Sequence, residues 1–255
     1  MKRAIKTDSR FKFIETNPGK PVLLLLHGLF GALSNFEGII EEFNDYNVVV
    51  PILPIYKLEV AETGLAGLLQ YTKDFVEHRD YVSIHLLGNS LGGHIAQLYV
   101  LSVPLRVKSL ILTGSSGLFE SGMGDGYPRR GDYGYIKRKT EETFYDPKVA
   151  TKELVDEVYN TVNDREKALR IILTAKSAIK HNLADELQNI KVPTLLVWGK
   201  EDGVTPPFVG EKFLELIPNA ILKMVDKCGH APMMEKPKEF NIILRQFLHE
   251  VDGIN

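Results

Sequence analysis

The sequence contains a single cysteine, Cys228, among its 255 residues. One thiol cannot form an internal disulfide, and there is no second cysteine with which it can build a zinc site. The histidines outside the motifs described below show no metal-ligand spacing with one another or with acidic residues. No phosphate-binding or dinucleotide-binding motif is found either. We therefore expect no disulfide framework, no metal site and no cofactor.

Long hydrophobic runs are also absent. The longest strongly apolar stretch, residues 22–26, is far shorter than the roughly 20 residues that a membrane-spanning helix needs. Residues 1–10 are polar and basic, and they lack the apolar core of a secretory signal. We therefore predict a cytoplasmic protein that has no membrane as a partner.

The sequence has no large excess of either charge. Lysine and arginine number 31, against 33 aspartate and glutamate residues, for a formal net charge of −2. The one block of like charge is Lys137-Arg138-Lys139, and nucleic-acid binding needs a far more basic surface. The expected partner is therefore a small-molecule substrate and not a nucleic acid. The sequence gives no indication of the oligomeric state.

What the sequence does contain is an alternation of short apolar runs and longer segments of helical periodicity. Hydrophobic residues make up 44% of the chain and charged residues 25%, which is typical of a globular protein. The runs are apolar on both faces, as in parallel strands that are covered by helices. They lie at residues 21–26, 47–53, 81–87 and 107–113, and the helical segments lie at 34–43, 64–78 and 91–102. This order predicts a doubly wound, mostly parallel α/β sheet.

The alternation stops in the middle of the chain, where no strand-like run is found. This segment opens with Gly117, Gly122, Gly124, Gly126 and Gly131 and continues with helical periodicity at 133–144, 148–162 and 166–180. Strand runs then return at 193–198 and 220–225, with helical segments at 208–217 and 237–251. We predict a core of residues 1–115 and 190–255, interrupted by an inserted helical cap, or lid, of residues 116–189 over the carboxyl edge of the sheet.

Ser90 lies in the sequence Gly88-Asn89-Ser90-Leu91-Gly92, between a predicted strand and a predicted helix. In this context the G-x-S-x-G pattern indicates a nucleophile elbow. The flanking glycines make room for a sharp, strained turn that exposes the serine hydroxyl. The helix that starts at Leu91 directs amide N–H groups toward a developing negative charge. Ser90 is therefore the predicted nucleophile.

A serine nucleophile needs a histidine base, and the histidine needs an acid that holds its tautomer. Asp202 follows the predicted strand 193–198, and His230 follows the next predicted strand. The chain order Ser90, Asp202, His230 is one of the known orders of a serine triad. Glu201 is an alternative acid, and we favour Asp202.

The motif His27-Gly28-Leu29-Phe30 follows the first long predicted strand. We interpret His27 as a structural residue. The loop after this strand can supply a second backbone N–H beside that of Leu91, and two such donors form an oxyanion hole for a tetrahedral intermediate.

The chain resembles the α/β-hydrolase fold family. The motifs that carry this resemblance are His27-Gly28, Gly88-x-Ser90-x-Gly92, Trp198-Gly199-x-x-Asp202 and Gly229-His230. The resemblance implies that the N–H of Leu29 completes the oxyanion hole, with Phe30 as the neighbouring alternative. Within the family, Gly-Asn-Ser-x-Gly-Gly and the glutamate after Gly-His, Glu235, are similar to meta-cleavage-product hydrolases, which split carbon–carbon bonds, and to small carboxylesterases. Dehalogenases and epoxide hydrolases of this fold carry aspartate at the nucleophile position, so Ser90 argues against both.

Several further residues are candidates for substrate binding, namely Phe30, Asn89, Arg129, Arg130 and Met233. Met233 and Met234 follow His230 closely enough to line the site. A carbon–carbon bond hydrolase of this fold needs a cation near a substrate carboxylate or enolate, and Arg129 or Arg130 can supply it.

The motifs favour a serine hydrolase that cleaves a small carboxylic ester through an acyl-enzyme. Two alternatives stay open. One is hydrolysis of a carbon–carbon bond in a ring-cleavage product by the same triad, and the other is a triad-bearing receptor for a small molecule that signals through movement of the lid.

Overall fold

The apolar runs form the strands of one mixed sheet. The computed structural model describes residues 4–31, 33–119 and 129–254. In this part of the chain the strands are β1 (Lys6–Thr7), β2 (Lys12–Glu15), β3 (Val22–Leu26), β4 (Asn47–Pro51), β5 (Ile84–Asn89), β6 (Val107–Thr113), β7 (Thr194–Gly199) and β8 (Ala220–Val225). Their order in the sheet is β1-β2-β4-β3-β5-β6-β7-β8. The pairs β1–β2 and β2–β4 are antiparallel and the others are parallel, which confirms the predicted mostly parallel sheet.

Helices lie close to the positions that the periodicity predicts. In chain order they are α1 (Glu37–Glu42), α2 (Leu65–His78), α3 (Leu91–Ser102), α4 (Tyr133–Glu141), α5 (Lys152–Asn163), α6 (Arg165–Lys180), α7 (Pro207–Leu216), α8 (Pro232–Glu235) and α9 (Pro237–Asp252). The one-turn helix α8 and the short strands β1 and β2 were not among the predicted elements, because segments this short show little periodicity. Within the described ranges, none of the helices combines the length and the apolar character that crossing a membrane would require.

Each side of the sheet packs against its own apolar core. In β3, Leu24 and Leu26 pack in a core that includes residues of α2, α3 and α7. Leu23 and Leu25 pack in a second core that includes residues of α1, α8 and α9. All four leucines are fully buried. Because neighbouring side chains of a strand point to opposite faces, helices on both faces account for strands that read as continuous apolar runs.

The helices α4, α5 and α6 form an insertion between β6 and β7. Each starts at a side-chain N-cap: Asp132 accepts from the Tyr135 N–H, Thr151 from the Leu154 N–H, and Asp164 from the N–H groups of Glu166 and Lys167. Ile136, Val158 and Val162 form a small core of their own, against which Phe30 packs. The predicted glycines Gly122, Gly124 and Gly126 lie outside the described residues, and the cap boundaries of 116–189 stay a prediction.

Register places the ends of β3 and β5 side by side. Leu26, the last residue of β3, pairs with Gly88 near the end of β5. The loop that begins at His27 and the turn at Ser90 therefore leave the sheet together at its carboxyl edge. In open parallel sheets this edge is where ligands bind.

Glu15 connects the antiparallel strands to the parallel part of the sheet. Its buried carboxylate accepts hydrogen bonds from Lys6 Nζ (3.0 Å), Asn47 Nδ2 (3.1 Å), Arg79 Nη2 (3.1 Å) and Tyr81 OH (2.8 Å). Burial by itself raises the pKa of Glu15, but the hydrogen bonds from Asn47, Lys6 and Tyr81 and the charge of Arg79 lower it to about 2. The folded state therefore stabilises the ionised form of this carboxyl group.

Glu15→Gln should destabilise the fold by about 2 kcal/mol at neutral pH, because the amide cannot accept all of these hydrogen bonds. The pKa of Glu15 in the folded state lies below its ordinary value of 4.5. Its stabilising contribution is therefore complete above about pH 4.5 and is lost as the pH falls toward 2. Urea unfolding between pH 7 and pH 3 should show the difference between parent and variant shrinking with acidity. Glu41→Gln, at an exposed position of α1, is the matched control, and a pH-independent difference for Glu15→Gln would contradict this account.

Candidate active site

Ser90 occupies the turn between β5 and α3, where its backbone has φ 53° and ψ −122°. A positive φ costs energy for a residue with a side chain. The Ser90 N–H donates to Thr113 O (3.2 Å), and the Ser90 carbonyl accepts from the N–H groups of Gly93 (2.9 Å), His94 (3.2 Å) and Ser116 (3.1 Å). The turn is therefore held from two sides, by α3 and by the chain at the end of β6.

Gly88 and Gly92 are required by the contacts of this turn. A Cβ on Gly88 would lie 2.4 Å from the carbonyl oxygen of Gly92, and a Cβ on Gly92 would lie 2.1 Å from the carbonyl oxygen of Leu26. These are backbone atoms, so no side-chain rotation can relieve the contact. These contacts are the physical reason why glycine stands two residues before and two residues after Ser90.

Asp202 and His230 contact each other at the carboxyl edge of the sheet. The Nδ1 atom of His230 lies 3.0 Å from Oδ2 and 3.2 Å from Oδ1 of Asp202. The Asp202 side chain is fully buried and that of His230 is 9% exposed. This contact assigns the imidazole proton to Nδ1, and no hydrogen bond engages Nε2 within the described ranges. His230 can therefore accept a proton at Nε2.

Thr205 is a further residue of this pair that the sequence reasoning missed. Asp202 Oδ1 accepts the N–H groups of Val204 (2.8 Å) and Thr205 (2.9 Å), and Oδ2 accepts the Thr205 hydroxyl (2.9 Å). The same hydroxyl lies 3.3 Å from His230 Nδ1. An aspartate commonly accepts N–H groups two and three residues later, so the sequence Asp-Gly-Val-Thr carried a signal for this loop. Thr205 holds the carboxylate in the orientation that faces His230.

Glu201, the alternative acid, has a different partner. Its Oε2 accepts the N–H of Cys228 (2.9 Å), and no contact with His230 is found among the described side chains. Of the two carboxylates, that of Asp202 is therefore the one that contacts His230.

His27 is held by the backbone on both sides of its ring. Its Nε2 accepts the N–H of Leu53 (3.2 Å), so Nδ1 carries the proton and donates it to the Gly28 carbonyl (2.9 Å). Burial lowers the pKa of His27, which keeps the ring neutral. His27 thus fixes the loop that follows β3, in agreement with its interpretation as a structural residue.

A cavity of about 450 Å³ contains both Ser90 and His230 in its wall. Residues of α4, α5 and α6 form another part of the wall, so the insertion and the core enclose the cavity together. Within the described chain no hydrogen bond joins Ser90 to His230. Hydrogen bonds between catalytic groups are often long or poorly aligned without substrate. Because both residues line the same cavity, one bound molecule can contact both side chains.

The amide groups of Leu29 and Leu91 are available beside Ser90. Both residues line the cavity, and neither N–H donates to another described residue. A Cβ on Gly28 would lie 3.1 Å from the Cβ of Ser90, so the loop after β3 runs against the turn at Ser90. Tyr56 supports this loop, because its hydroxyl donates to the Leu29 carbonyl (2.5 Å). Two backbone donors next to a serine hydroxyl can bind an oxyanion.

Two of the predicted substrate-binding residues, Phe30 and Asn89, line the cavity. The amide of Asn89 is occupied, since Nδ2 donates to Thr113 O (3.0 Å) and to His230 O (3.3 Å). Asn89 therefore connects the turn at Ser90 to the loop that carries His230. The prediction was instead that Asn89 contacts substrate.

Met233 differs from the prediction. Its residue surface is 2% exposed and it packs in the core on the α9 face of the sheet, whereas its neighbour Met234 lines the cavity. Successive helical residues point about 100° apart, so only one of two neighbours in α8 can face the site. The sequence placed both near His230 but could not distinguish which one turns toward the cavity.

Arg129 and Arg130 also differ from the prediction. Both are exposed and neither lines the cavity. The cation in the cavity wall of the described structure is instead Lys139 of α4, whose Nζ pairs with Glu142 Oε2 at 2.7 Å. Tyr135, Lys139 and Glu142 all line the cavity, and their spacing of four and three residues on one helical face was the signal that would have found them.

No group of three or more histidine, cysteine, aspartate or glutamate side chains in the described part of the chain is arranged to hold a metal ion.

Comparison with known proteins gives one family and two kinds of relative. The model of the alpha/beta hydrolase family matches residues 23–241. A 2-hydroxy-6-oxononadienedioate/2-hydroxy-6-oxononatrienedioate hydrolase of Paraburkholderia phymatum is 28% identical over 264 residues, which cover 95% of this chain and 92% of the relative. Lipase 1 of Psychrobacter immobilis is 29% identical over 245 residues, which cover 85% of this chain and 73% of the relative.

A solved structure is similar over nearly the whole chain. An alpha/beta hydrolase enzyme from the metagenome of sediments from the lagoon of Mar Chica, Morocco, has a TM-score of 0.81 and 41% sequence identity, over 98% of this chain and 99% of that one. The comparisons thus agree on the family and the fold, and the named relatives differ in substrate class.

Gly92→Ala should destabilise the fold by at least about 2 kcal/mol, because its Cβ meets backbone that cannot move without disturbing β3. Gly131→Ala is the control, since a Cβ there would have nothing within 4 Å, and it should stay within about 1 kcal/mol of the parent. Thermal unfolding of both variants measures this difference. Equal stabilities would show that the turn does not need glycine at position 92.

Proposed function

Since the chain belongs to the alpha/beta hydrolase family, we propose that it is a serine hydrolase that cleaves a small, neutral carboxylic ester through an acyl-enzyme on Ser90. One observation carries this proposal. A serine in a strained strand-to-helix turn and a hydrogen-bonded Asp202–His230 pair line the same cavity. Such a set is what nucleophilic catalysis by serine requires.

The reaction proceeds in two halves. Ser90 Oγ attacks the ester carbonyl carbon while its proton passes to His230 Nε2, and Asp202 stabilises the imidazolium through the Nδ1–H group. The tetrahedral intermediate collapses, His230 gives its proton to the leaving alcohol, and the acyl group stays on Ser90. Water then attacks the acyl-enzyme with His230 as general base, which releases the acid and restores the serine.

Negative charge develops on the former carbonyl oxygen in both halves. The N–H groups of Leu29 and Leu91 are the donors that we assign to this oxyanion. Both are fixed before substrate binds, the first by the loop after β3 and the second by the start of α3, so they need no reorganisation during the reaction. A donor of this kind typically contributes about 10² to 10³ in kcat.

The cavity favours a neutral substrate. Its volume of about 450 Å³ falls within the roughly 300–1,000 Å³ that small-molecule sites span. Lys139 and Glu142, which carry opposite charges in its wall, pair with each other. Their mutual neutralisation leaves little field for binding an anion. We further propose that residues 116–189 act as a cap, because α4, α5 and α6 shape the wall that faces substrate.

Hydrolysis of a carbon–carbon bond is the alternative that the Paraburkholderia relative supports. The dienedioate in that protein's name carries two carboxylates, and a substrate of this kind needs a cation in the cavity. Lys139 is the residue of the described wall that can supply it, after release from Glu142. A small-molecule receptor is a further alternative, and repeated turnover distinguishes it, since an enzyme completes many cycles on p-nitrophenyl butyrate and a receptor does not.

Ser90→Ala and His230→Ala should each reduce kcat on p-nitrophenyl butyrate by roughly 10³ to 10⁶ without unfolding the protein. Asp202→Asn should reduce it by roughly 10² to 10⁴, because the amide favours the wrong imidazole tautomer. Glu201→Gln, a neighbouring carboxylate bonded elsewhere, is the control and should cost less than tenfold. Activity within tenfold of the parent in Ser90→Ala, or a reversed order for the two acids, would contradict the proposed triad.

Lys139→Gln tests the substrate class. On the ester proposal the exposed ion pair contributes under about 1 kcal/mol, so hydrolysis of p-nitrophenyl butyrate should stay within about fivefold of the parent. Arg129→Gln, an exposed arginine outside the cavity wall, is the matched control. Steady-state kinetics on this ester and on a ring-cleavage dienoate decide between the classes. A loss of a hundredfold or more that is confined to the dienoate and to Lys139→Gln would favour the carbon–carbon bond hydrolase.

A further inference from the structure

Glu235 bridges two segments that the chain places far apart in sequence. Its Oε1 accepts the N–H of Gly229 (2.7 Å), next to His230. Its Oε2 accepts the N–H groups of Tyr145 (2.8 Å) and Asp146 (3.4 Å), in the insertion. One carboxylate therefore binds the loop that carries His230 with one oxygen and the insertion with the other.

A second contact joins the same two segments. The N–H of His230 donates to the Thr143 carbonyl (3.0 Å). A Cβ on Gly229 would lie 2.7 Å from that carbonyl oxygen and 2.9 Å from the backbone nitrogen of Tyr145. The two backbones thus pack together with no room for a side chain at position 229. Glu235 adds a hydrogen bond to each of them.

The hydrogen bonds of Glu235 to Gly229, Tyr145 and Asp146, called the bridge below, lie directly beside the cavity. Thr143 and Phe144, which belong to the bridged part of the insertion, line the cavity together with His230. Any shift of this segment would therefore displace both the wall that faces substrate and the imidazole. Burial raises the pKa of Glu235, while the N–H groups of Gly229, Tyr145 and Asp146 act in the opposite direction by binding its carboxylate.

We propose that Glu235 is a positioning residue, which fixes His230 and residues 143–146 of the insertion relative to each other so that the base and the cavity wall form one unit. This inference rests on the proposed function in one respect, namely that His230 is the general base. Glu235 itself touches neither substrate nor the reacting atoms.

The chemistry of the side chain determines which variants test the bridge. In Glu235→Gln one oxygen becomes an NH₂ group, which faces an N–H donor and breaks the contact with one segment. On the proposal the two segments hold each other in place through this carboxylate, so the loss of either contact loosens both. Glu235→Asp keeps the charge but is shorter by one methylene, so it can serve one segment well and the other poorly. Glu201→Gln is a matched control, because Glu201 also accepts an N–H from the same loop, that of Cys228 (2.9 Å), and has no contact with the insertion among the described residues.

The test combines amide hydrogen exchange with steady-state kinetics on p-nitrophenyl butyrate, at a temperature at least 15 °C below the Tm of each variant. Glu235→Gln should raise exchange at least tenfold in residues 143–146 and in residues 228–231 together, and should lower kcat ten- to hundredfold. Glu235→Asp should recover part of both losses, and it carries the comparison if Glu235→Gln does not fold. Glu201→Gln should change kcat by less than tenfold and leave exchange in residues 143–146 unchanged.

Amide hydrogen exchange tests whether Glu235 couples the two segments, independently of catalysis. If exchange rises in only one of the two segments, or in neither, Glu235 does not couple them and the inference is overturned. If exchange rises in both while kcat stays within threefold of the parent, Glu235 is structural and does not position the base. A parent protein that shows no ester turnover would instead count against the proposed function, and the exchange result would still decide whether the bridge exists.

Discussion

Ser90 has a backbone conformation that costs energy for any residue with a side chain, and hydrogen bonds of its N–H and its carbonyl hold it in that conformation. Leu26 and Gly88 pair across β3 and β5, which sets the loop at Gly28 against the serine. The same packing leaves no space for a Cβ at Gly88 or Gly92. The register of two buried strands thus fixes both Ser90 and the loop beside it.

The other half of the site comes from the loops after β7 and β8, which leave the sheet at the same carboxyl edge as Ser90. His230 is bonded to Asp202 through Nδ1, and its own carbonyl accepts from the amide of Asn89. Asn89 immediately precedes Ser90, so the turn that carries Ser90 also holds the loop that carries His230. Glu235 extends this connection to the insertion. A continuous series of backbone and side-chain hydrogen bonds therefore connects the turn at Ser90 with the cavity wall.

Features that depend on local chemistry could be predicted from the sequence. The turn at Ser90 was predictable because its pattern lies within five consecutive residues between a strand and a helix, and Asp202 because it follows a strand closely. Features that depend on packing between distant elements could not be predicted in the same way. Which of Met233 and Met234 faces the cavity depends on how α8 rests on the core, and Lys139, rather than Arg129 or Arg130, reaches the cavity because of the way in which α4 packs on α5.

In the proposed mechanism, Ser90 alone is the activated nucleophile of this cavity. Ser116 also lines the cavity and Ser115 is buried beside it, so a covalent probe has a real choice of serines. Labelling the parent protein with a fluorophosphonate, followed by peptide mapping, tests this claim most directly. The account predicts one adduct, on Ser90, that is lost in His230→Ala because the serine is no longer activated. An adduct on Ser115 or Ser116, or undiminished labelling in His230→Ala, would contradict it.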